Sequence, residues 1–359
     1  MSSPFEGARV ADLNLVRLQQ HDAIIREYDG KAHFLAMLGR YPKPSNVYAE
    51  WDVASPQVIV KGTLTDEASD KTEGFGSFQP CKLRNHSEQK RSAGWHVSRR
   101  AEAVEQADTA DEVAKQRVQD TENHVLDWES SLLADLDASD TPGSETSRMS
   151  LNWLKPVAGA SAYGTGTFSQ RSVDPIPAAV AVLPAQYYDG SVGTLSGATG
   201  EATFKAMLTA CAKQVRGRLD LTQICGLGLK GIMSGWATNP VVAANAIATR
   251  INTIAADEKK LLGLVDFFQY DTGIVRSMLT FYANLSLADN VFQPGQFSDY
   301  SGIGINPKLW KIAWLRPIRH YDLDDKDVKG GGRRGYHESD GMLMPMTVQG
   351  QYAIVPTSL

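Results

Sequence analysis

One stretch constrains this chain more than any other. From Thr109 to about Asp137 there is neither Gly nor Pro, and Thr109 with Glu112 forms a capping-box pattern at its start. Val118, Val125 and Leu132 recur every seven residues, with Ala114, Trp128 and Leu136 near the same face. This predicts one helix of about 28 residues, about 42 Å long at 1.5 Å per residue. Such a helix is far longer than the usual globular one and needs a large body to pack against. Asp140, Pro142 and Gly143 end it.

Polarity changes on either side of this helix. Lys82 to Arg100 carries six basic residues (Lys82, Arg84, Lys90, Arg91, Arg99, Arg100) against one acid, Glu88, whereas Glu102 to Glu145 carries thirteen acids against two bases. Ahead of the basic run, Asn46 to Asp52 and Val58 to Val60 are strand-like, and Thr65 to Ser92 is a polar tongue with Gly74, Gly76 and Pro80. Apolar residues resume at Trp95 to Val97, so two strands bracket a long hairpin. A structureless loop of that length in a compact domain is uncommon and usually means function or disorder. The first 45 residues, broken by Gly30, Gly39, Pro42 and Pro44, predict an arm with short helices.

Beyond the long helix, Ser161 to Asp174 is rich in Gly, Ser and Thr, and Pro175 to Pro184 is apolar with prolines. Helices are expected at Glu201 to Leu219 and Asn239 to Leu261. Strands are expected at Leu264 to Tyr270, Arg276 to Leu285, Ile312 to Ile318 and in the closing stretch Met342 to Val355. There is no internal repeat, and the mixture fits α+β better than a regular βαβ alternation. The chain has 359 residues and a net charge of -5, which excludes a generally basic nucleic-acid binder. No run reaches the length of a membrane helix, and Met1 to Val10 carries no signal-peptide pattern. Three widely spaced cysteines, Cys81, Cys211 and Cys225, argue against a disulfide framework.

Catalytic and cofactor signals are weak. Gly226, Gly228 and Gly231 spell G-x-G-x-x-G, but a helix candidate precedes them where a dinucleotide site needs a strand, so a glycine turn between helices is expected. Gly330 to Gly335, with Arg333 and Arg334, predicts a mobile surface loop without the ending of a phosphate-binding loop. The seven histidines have no metal-ligand spacing with one another or with the cysteines. No nucleophile elbow occurs, and Asp324 with Asp325 lies in a polar turn. We therefore expect no catalytic residue, no metal, no cofactor and a structural role.

Several segments carry a family resemblance. Asn46 to Asp52 (NVYAEWD) resembles the entry to an extended loop, and His96 to Val104 (HVSRRAEAV) its returning strand. Asp111 to Gln116 and Trp128 to Leu133 resemble the two ends of a spine helix, and Asn306 to Pro317 a strand entry. In this order they resemble the major capsid proteins of tailed bacteriophages with the Hong Kong 97-type fold. Gly159 to Gly200 matches nothing in that pattern, and Gly330 to Gly332 departs from it.

The resemblance implies an N-terminal arm at 1–45, an extended-loop hairpin with flanking strands at 46–105, and a peripheral domain at 106–200 with a spine helix at about 109–137. A mostly axial domain at 201–321 and C-terminal strands at 322–359 complete it. It implies hexamers and pentamers that close into an icosahedral shell around double-stranded DNA. It also implies a virion location after assembly in the host cytoplasm, and a portal, with a decoration protein as an optional addition. The arm is too short to be a built-in scaffold, so a separate scaffolding protein is expected. DNA would be touched non-specifically, since an acidic wall repels it, and no membrane takes part.

In such shells the loop of one subunit lies over its neighbour's spine helix. That makes Lys82, Arg84, Lys90, Arg91, Arg99 and Arg100 candidates to meet Glu122 and Glu129 of an adjacent copy. Lysine–asparagine crosslinking, for which Lys71, Lys82 and Lys90 are placed in the tongue, is not expected. The alternatives are an encapsulin-like cellular shell, more remotely a nucleotide-binding enzyme built on the glycine motif, and a different virion or tail component.

Overall fold

The computed structural model describes residues 32–54, 81–98, 112–139, 145–156, 180–196, 198–238, 267–280, 297–323 and 332–356. Several expected features lie outside the described residues, among them the arm up to residue 31, Val58 to Val60, Lys71, Arg99, Arg100, the Thr109 capping box, Ser161 to Asp174, the expected helix Asn239 to Leu261 and Asp324 with Asp325. The chain divides into two compact units that are discontinuous in sequence. The smaller holds Arg91–His124 and Arg319–Glu338 with Met1–Gly30, and the larger holds Lys31–Lys90, Val125–Ile318 and Ser339–Leu359.

The larger unit has two cores. The first gathers the short helix α1 (His33–Met37), the second half of the long helix α2 (Glu112–Leu133) and the helix α3 (Ser150–Trp153). To these it adds a two-stranded antiparallel sheet of β2 (Tyr48–Val53) and β3 (Cys81–His86). Trp128, Leu132, Trp153 and Trp310 are fully buried here. Burial of such side chains contributes roughly 1.5–3 kcal/mol each. β1 (Gly39–Arg40) pairs in parallel with the start of β11 (Trp310–Leu323). The strand order is β1-β11-β12-β4, where β12 is Arg333–Pro345 and β4 is Glu88–Arg91, with β5 (Trp95–Val97) on β12.

The second core lies on a six-stranded sheet of order β6-β13-β10-β7-β9-β8. Its strands are β6 (Tyr187–Tyr188), β13 (Tyr352–Ile354), β10 (Gly302–Ile305), β7 (Leu219–Cys225), β9 (Gly273–Leu279) and β8 (Phe267–Tyr270). The helices α4 (Val192–Ser196), α5 (Ala198–Val215) and α6 (Leu227–Thr238) belong to it, with Phe204 placed among Trp236, Phe268 and Tyr352. In the smaller unit β5 pairs antiparallel with β12, and Trp95, Val97 and Val113 form a small cluster of their own.

The mixed α+β class holds, but several elements differ from expectation. α2 stops at Leu133 rather than near Asp137: Ala134 N turns to Ser131 O at 3.0 Å in a tighter final turn, and the Leu132 carbonyl accepts from Ser150 Oγ at 2.6 Å. The seven-residue face is also wrong in its first half, since Val118 is 53% exposed. The buried line runs Val113, Asp120, His124, Trp128, Leu132, with polar residues in two places where an apolar pattern looks for carbon.

The hairpin partner of β2 is Cys81–His86, not Trp95–Val97, and the register runs from Tyr48↔His86 to Val53↔Cys81. What reads as a polar tongue is strand at its end, because Leu83 and Asn85 point inward. Asn85 is held by hydrogen bonds to Ser147 Oγ and the Arg148 and Leu343 carbonyls. The second helix ends at Val215, where Arg216 takes φ 56°, and Leu219 opens β7. Arg333 to Gly335 is strand rather than mobile loop, paired with Val97 to Trp95.

Candidate inter-subunit surface

The basic candidates divide by environment. On the β2–β3 sheet, Lys82 Nζ and Arg84 Nε both reach the Glu50 carboxylate, at 2.5 and 2.7 Å. The Lys82 hydrogen bond, followed by that of Arg84, holds the Glu50 carboxyl below its ordinary range. This cluster is partly exposed, and pairs of that kind contribute little stability.

Lys90 is different, with its side chain only 8% exposed. Its Nζ lies 3.1 Å from Asp127 Oδ2, 3.1 Å from the Asp127 carbonyl and 3.8 Å from Glu88, and also donates to Ser131 Oγ. It stands 5.0 Å over the Trp128 ring. Burial pushes the Glu88 carboxyl up, and the Lys90 charge pulls it back. Arg91, in the smaller unit, pairs with Glu338 at 3.3 Å and covers the Tyr336 ring at 4.8 Å.

The acidic candidates separate in the same way. Glu122 is half-buried on α2 in the smaller unit. Glu129 is fully buried and faces its own chain: its two oxygens accept from Phe34 N at 2.7 Å and Leu35 N at 2.8 Å, at the start of α1. Burial raises its pKa against the pull of these bonds. Glu129 is thus turned inward, away from any neighbouring copy. Its role has no sequence signal, since the partner amides lie some 95 positions away. The candidates are therefore not one patch, and most of the basic side chains are matched within the chain.

The chemistry of other clusters is structural. The glycine motif follows the strand β7 and opens the helix α6, contrary to the expected turn between helices. That is the local order a phosphate site uses, yet the place is filled. The Asp299 carboxylate accepts from Leu227 N at 2.8 Å and Gly228 N at 3.0 Å, so the helix start already holds an anion from its own chain. A Cβ on Gly226 would lie 2.2 Å from the Asp299 carbonyl oxygen, and one on Gly228 would lie 2.6 Å from the Tyr300 ring. These glycines admit the Asp299–Tyr300 turn, not a pyrophosphate.

Ser92, Asp120 and His337 resemble a triad only in composition. Ser92 Oγ donates to Asp120, so no imidazole nitrogen accepts its proton. Burial pushes the Cys211 and Cys225 thiols up to about 12 and about 11, far from thiolate chemistry. Among the described residues no group of three His, Cys, Asp or Glu could hold a metal ion, and no helix is long and apolar enough to cross a membrane.

Comparison with known proteins gives the fold its context. No curated protein matches the chain by sequence. Among solved structures, the mature capsid of bacteriophage PhiM1 aligns with a TM-score of 0.57 at 12% identity, covering 97% of this chain and 93% of that one. The capsid of a native GTA particle aligns at 0.56 and 11% identity over 98% of both chains. The cyanophage Pam1 capsid aligns at 0.52 and 10% identity, over 94% and 95%. The fold is the Hong Kong 97 type of phage capsid proteins, and the matching family and structures are structural capsid proteins. The model of the SU10 major capsid protein family matches residues 16–334. This chain belongs to the SU10 major capsid protein family, the major capsid proteins of phage heads.

Proposed function

We propose that the chain builds the wall of an icosahedral phage head, assembling as hexamers and pentamers around double-stranded DNA. The observation that carries this reading is the register of β2 on β3. Val53 pairs with Cys81, so residues 54–80 leave and return side by side at one end of a two-stranded sheet. Connections of that length are usually functional, and in this reading a neighbouring copy is the surface they reach in a shell. Assembly then follows from many weak heterologous contacts that close into rings.

Lys82, Arg84, Lys90 and Arg91 already face acids of their own chain, so Arg99 and Arg100 become the cations offered to Glu122 of the next subunit. A separate scaffolding protein and a portal complete the assembly in the host cytoplasm, a decoration protein remains an optional partner, and DNA touches the wall without sequence preference. The test replaces residues 56–79 by a short Gly-Ser linker. The reading expects a folded subunit with unchanged thermal unfolding that no longer forms shells. Normal shells from that variant would contradict it.

A further inference from the structure

In the larger unit, Arg40 and Lys43 lie on one segment and Lys308 and Lys311 on a second, and the two segments pair. β1 meets β11 with Gly39 opposite Lys311 and Arg40 opposite Ile312. The Tyr41 amide then donates to the Ile312 carbonyl at 2.9 Å, so the pairing runs to within two residues of Lys43. Lys308 lies in the turn Pro307–Leu309 just ahead of β11, where its amide donates to Asn306 Oδ1 at 3.2 Å. Arg40, Lys43 and Lys308 are exposed, and Lys311 is half-buried with Nζ 5.6 Å over the Tyr41 ring. Pro42, Pro44 and Pro307 fix φ beside these cations, so the charges stand on stiff backbone.

Among the described residues no carboxylate offsets this face. Residues 32–49 and 300–321 contain no Asp or Glu. Neither does the tail 341–356, whose Met346 amide donates to the Leu309 carbonyl at 2.7 Å. The next acid along the first segment, Glu50, is taken by Lys82 and Arg84. Arg316, further along β11, has its own acid in Asp340 at 3.6 Å. A second basic group, Lys213 with Arg216 and Arg218, stands at the carboxyl end of α5, where the helix dipole already favours cations. The face built by Arg40, Lys43, Lys308 and Lys311 has no such explanation.

Its complement is in the chain's own sequence. Residues 54–80, between β2 and β3, carry four acids, Asp66, Glu67, Asp70 and Glu73, against two lysines, Lys61 and Lys71. The sign of the charge is thus reversed relative to Lys82 and Arg84 on the ribbon itself. This span departs at Val53, about 17 Å of strand beyond Tyr48 and so at the end away from the Arg40 segment. Asp70 stands eleven residues from Cys81, a reach of at most about 40 Å. That is enough to cross onto an adjacent subunit.

We propose that the acidic span 66–73 of one subunit docks on the Arg40, Lys43, Lys308 and Lys311 face of a neighbouring copy. This inference rests on the shell reading and adds a contact opposite in sign to that of Arg99 and Arg100. The charges are solvent-exposed, so each pair is weak and salt-sensitive. Repetition around every ring gives their sum its effect.

The test exchanges the charges. Shells are scored by electron microscopy after expression with the neighbouring viral genes, and the isolated subunit by thermal unfolding. Lys43→Glu with Lys308→Glu should leave unfolding unchanged and lower shell yield at least about tenfold, because like charges then face each other. Glu67→Lys with Asp70→Lys should do the same. All four changes together restore opposite signs and should restore most of the yield. Normal yield from either double variant, or no recovery in the combination, would overturn the docking, while wild-type shells would leave the shell reading intact. Normally shaped shells that hold less DNA would also overturn it, since the face would then serve nucleic acid. A less stable isolated subunit would overturn it too, since the span would then fold back on its own chain. A peptide of residues 62–74 reads the contact without a shell, and at low salt should bind the wild-type subunit about tenfold more tightly than the Lys43→Glu, Lys308→Glu variant. If wild type forms no shell, the shell reading fails by itself. The peptide then decides: a tenfold difference upholds the contact, and equal binding to both proteins overturns it.

Discussion

The long helix α2 buries its two halves in opposite ways. In its second half, within the larger unit, Trp128 and Leu132 meet an apolar core of tryptophans, leucines and methionines. In its first half, within the smaller unit, Val113 joins a small apolar cluster, but the other buried positions are the polar Asp120 and His124, and Asp120 is held by hydrogen bonds to β12 and to the segment before β5. Apolar burial is non-directional and tolerates small shifts. A buried polar network holds only while each member keeps its partner. One helix is thus anchored by bulk at one end and by matched protons at the other.

The most severe break is Leu132→Asp. It places an unpaired charge in the apolar half and should cost several kcal/mol, enough to unfold the subunit. Soluble, cooperatively unfolding protein from this variant would show that the helix face is misplaced.

Next comes Glu129→Ala, which leaves two buried amides of α1 without their acceptor and should cost about 2–4 kcal/mol in chemical denaturation. Glu129→Gln keeps an acceptor oxygen and sheds a charge that burial penalises, so it should cost much less. Equal losses in the two variants would argue that shape, not the amide bonds, makes Glu129 matter.

Lys90→Met should cost about 1–3 kcal/mol, since it strips the cation from buried Glu88 and from Asp127 while keeping contact with Trp128. The loss should shrink in acid as Glu88 protonates. A pH-independent loss would mean that packing carries the effect.

The smallest effect belongs to Asp322→Asn at the exposed edge of the polar half, under about 1 kcal/mol. The His320 hydrogen bond, then Arg117, holds the Asp322 carboxyl below its ordinary range. Its contribution is present above the unfolded carboxylate pKa near 3.8 and is lost as pH falls through the lower folded value. A cost that persists well below that range would assign Asp322 a role beyond its charge.

The contrast between the halves also explains what the sequence discloses. Trp128 and Leu132 were legible because a helix period marks large apolar side chains. Asp120 and His124 were not, because their burial depends on Ser92 and His337, far away in the chain. β3 was hidden for the same reason: Asn85 faces inward, and only its carbonyl partners on distant segments make that possible. The glycine motif was visible, but its meaning was not, since Asp299 supplies the anion from 71 and 72 positions downstream. Of the candidate contact residues, charge alone identified the cations. It could not show that Glu50, Asp127 and Glu338 already face them, nor that Glu129 points inward.

Electron microscopy of the chain, expressed with and without its neighbouring viral genes, tests the central claim most directly. The account predicts hollow icosahedral particles of phage-head size when the partner genes are present, and sheets, tubes or irregular shells of hexamers when they are absent. A small uniform cage formed without any partner would favour an encapsulin-like container, and a monodisperse monomer or dimer under every condition would contradict the account.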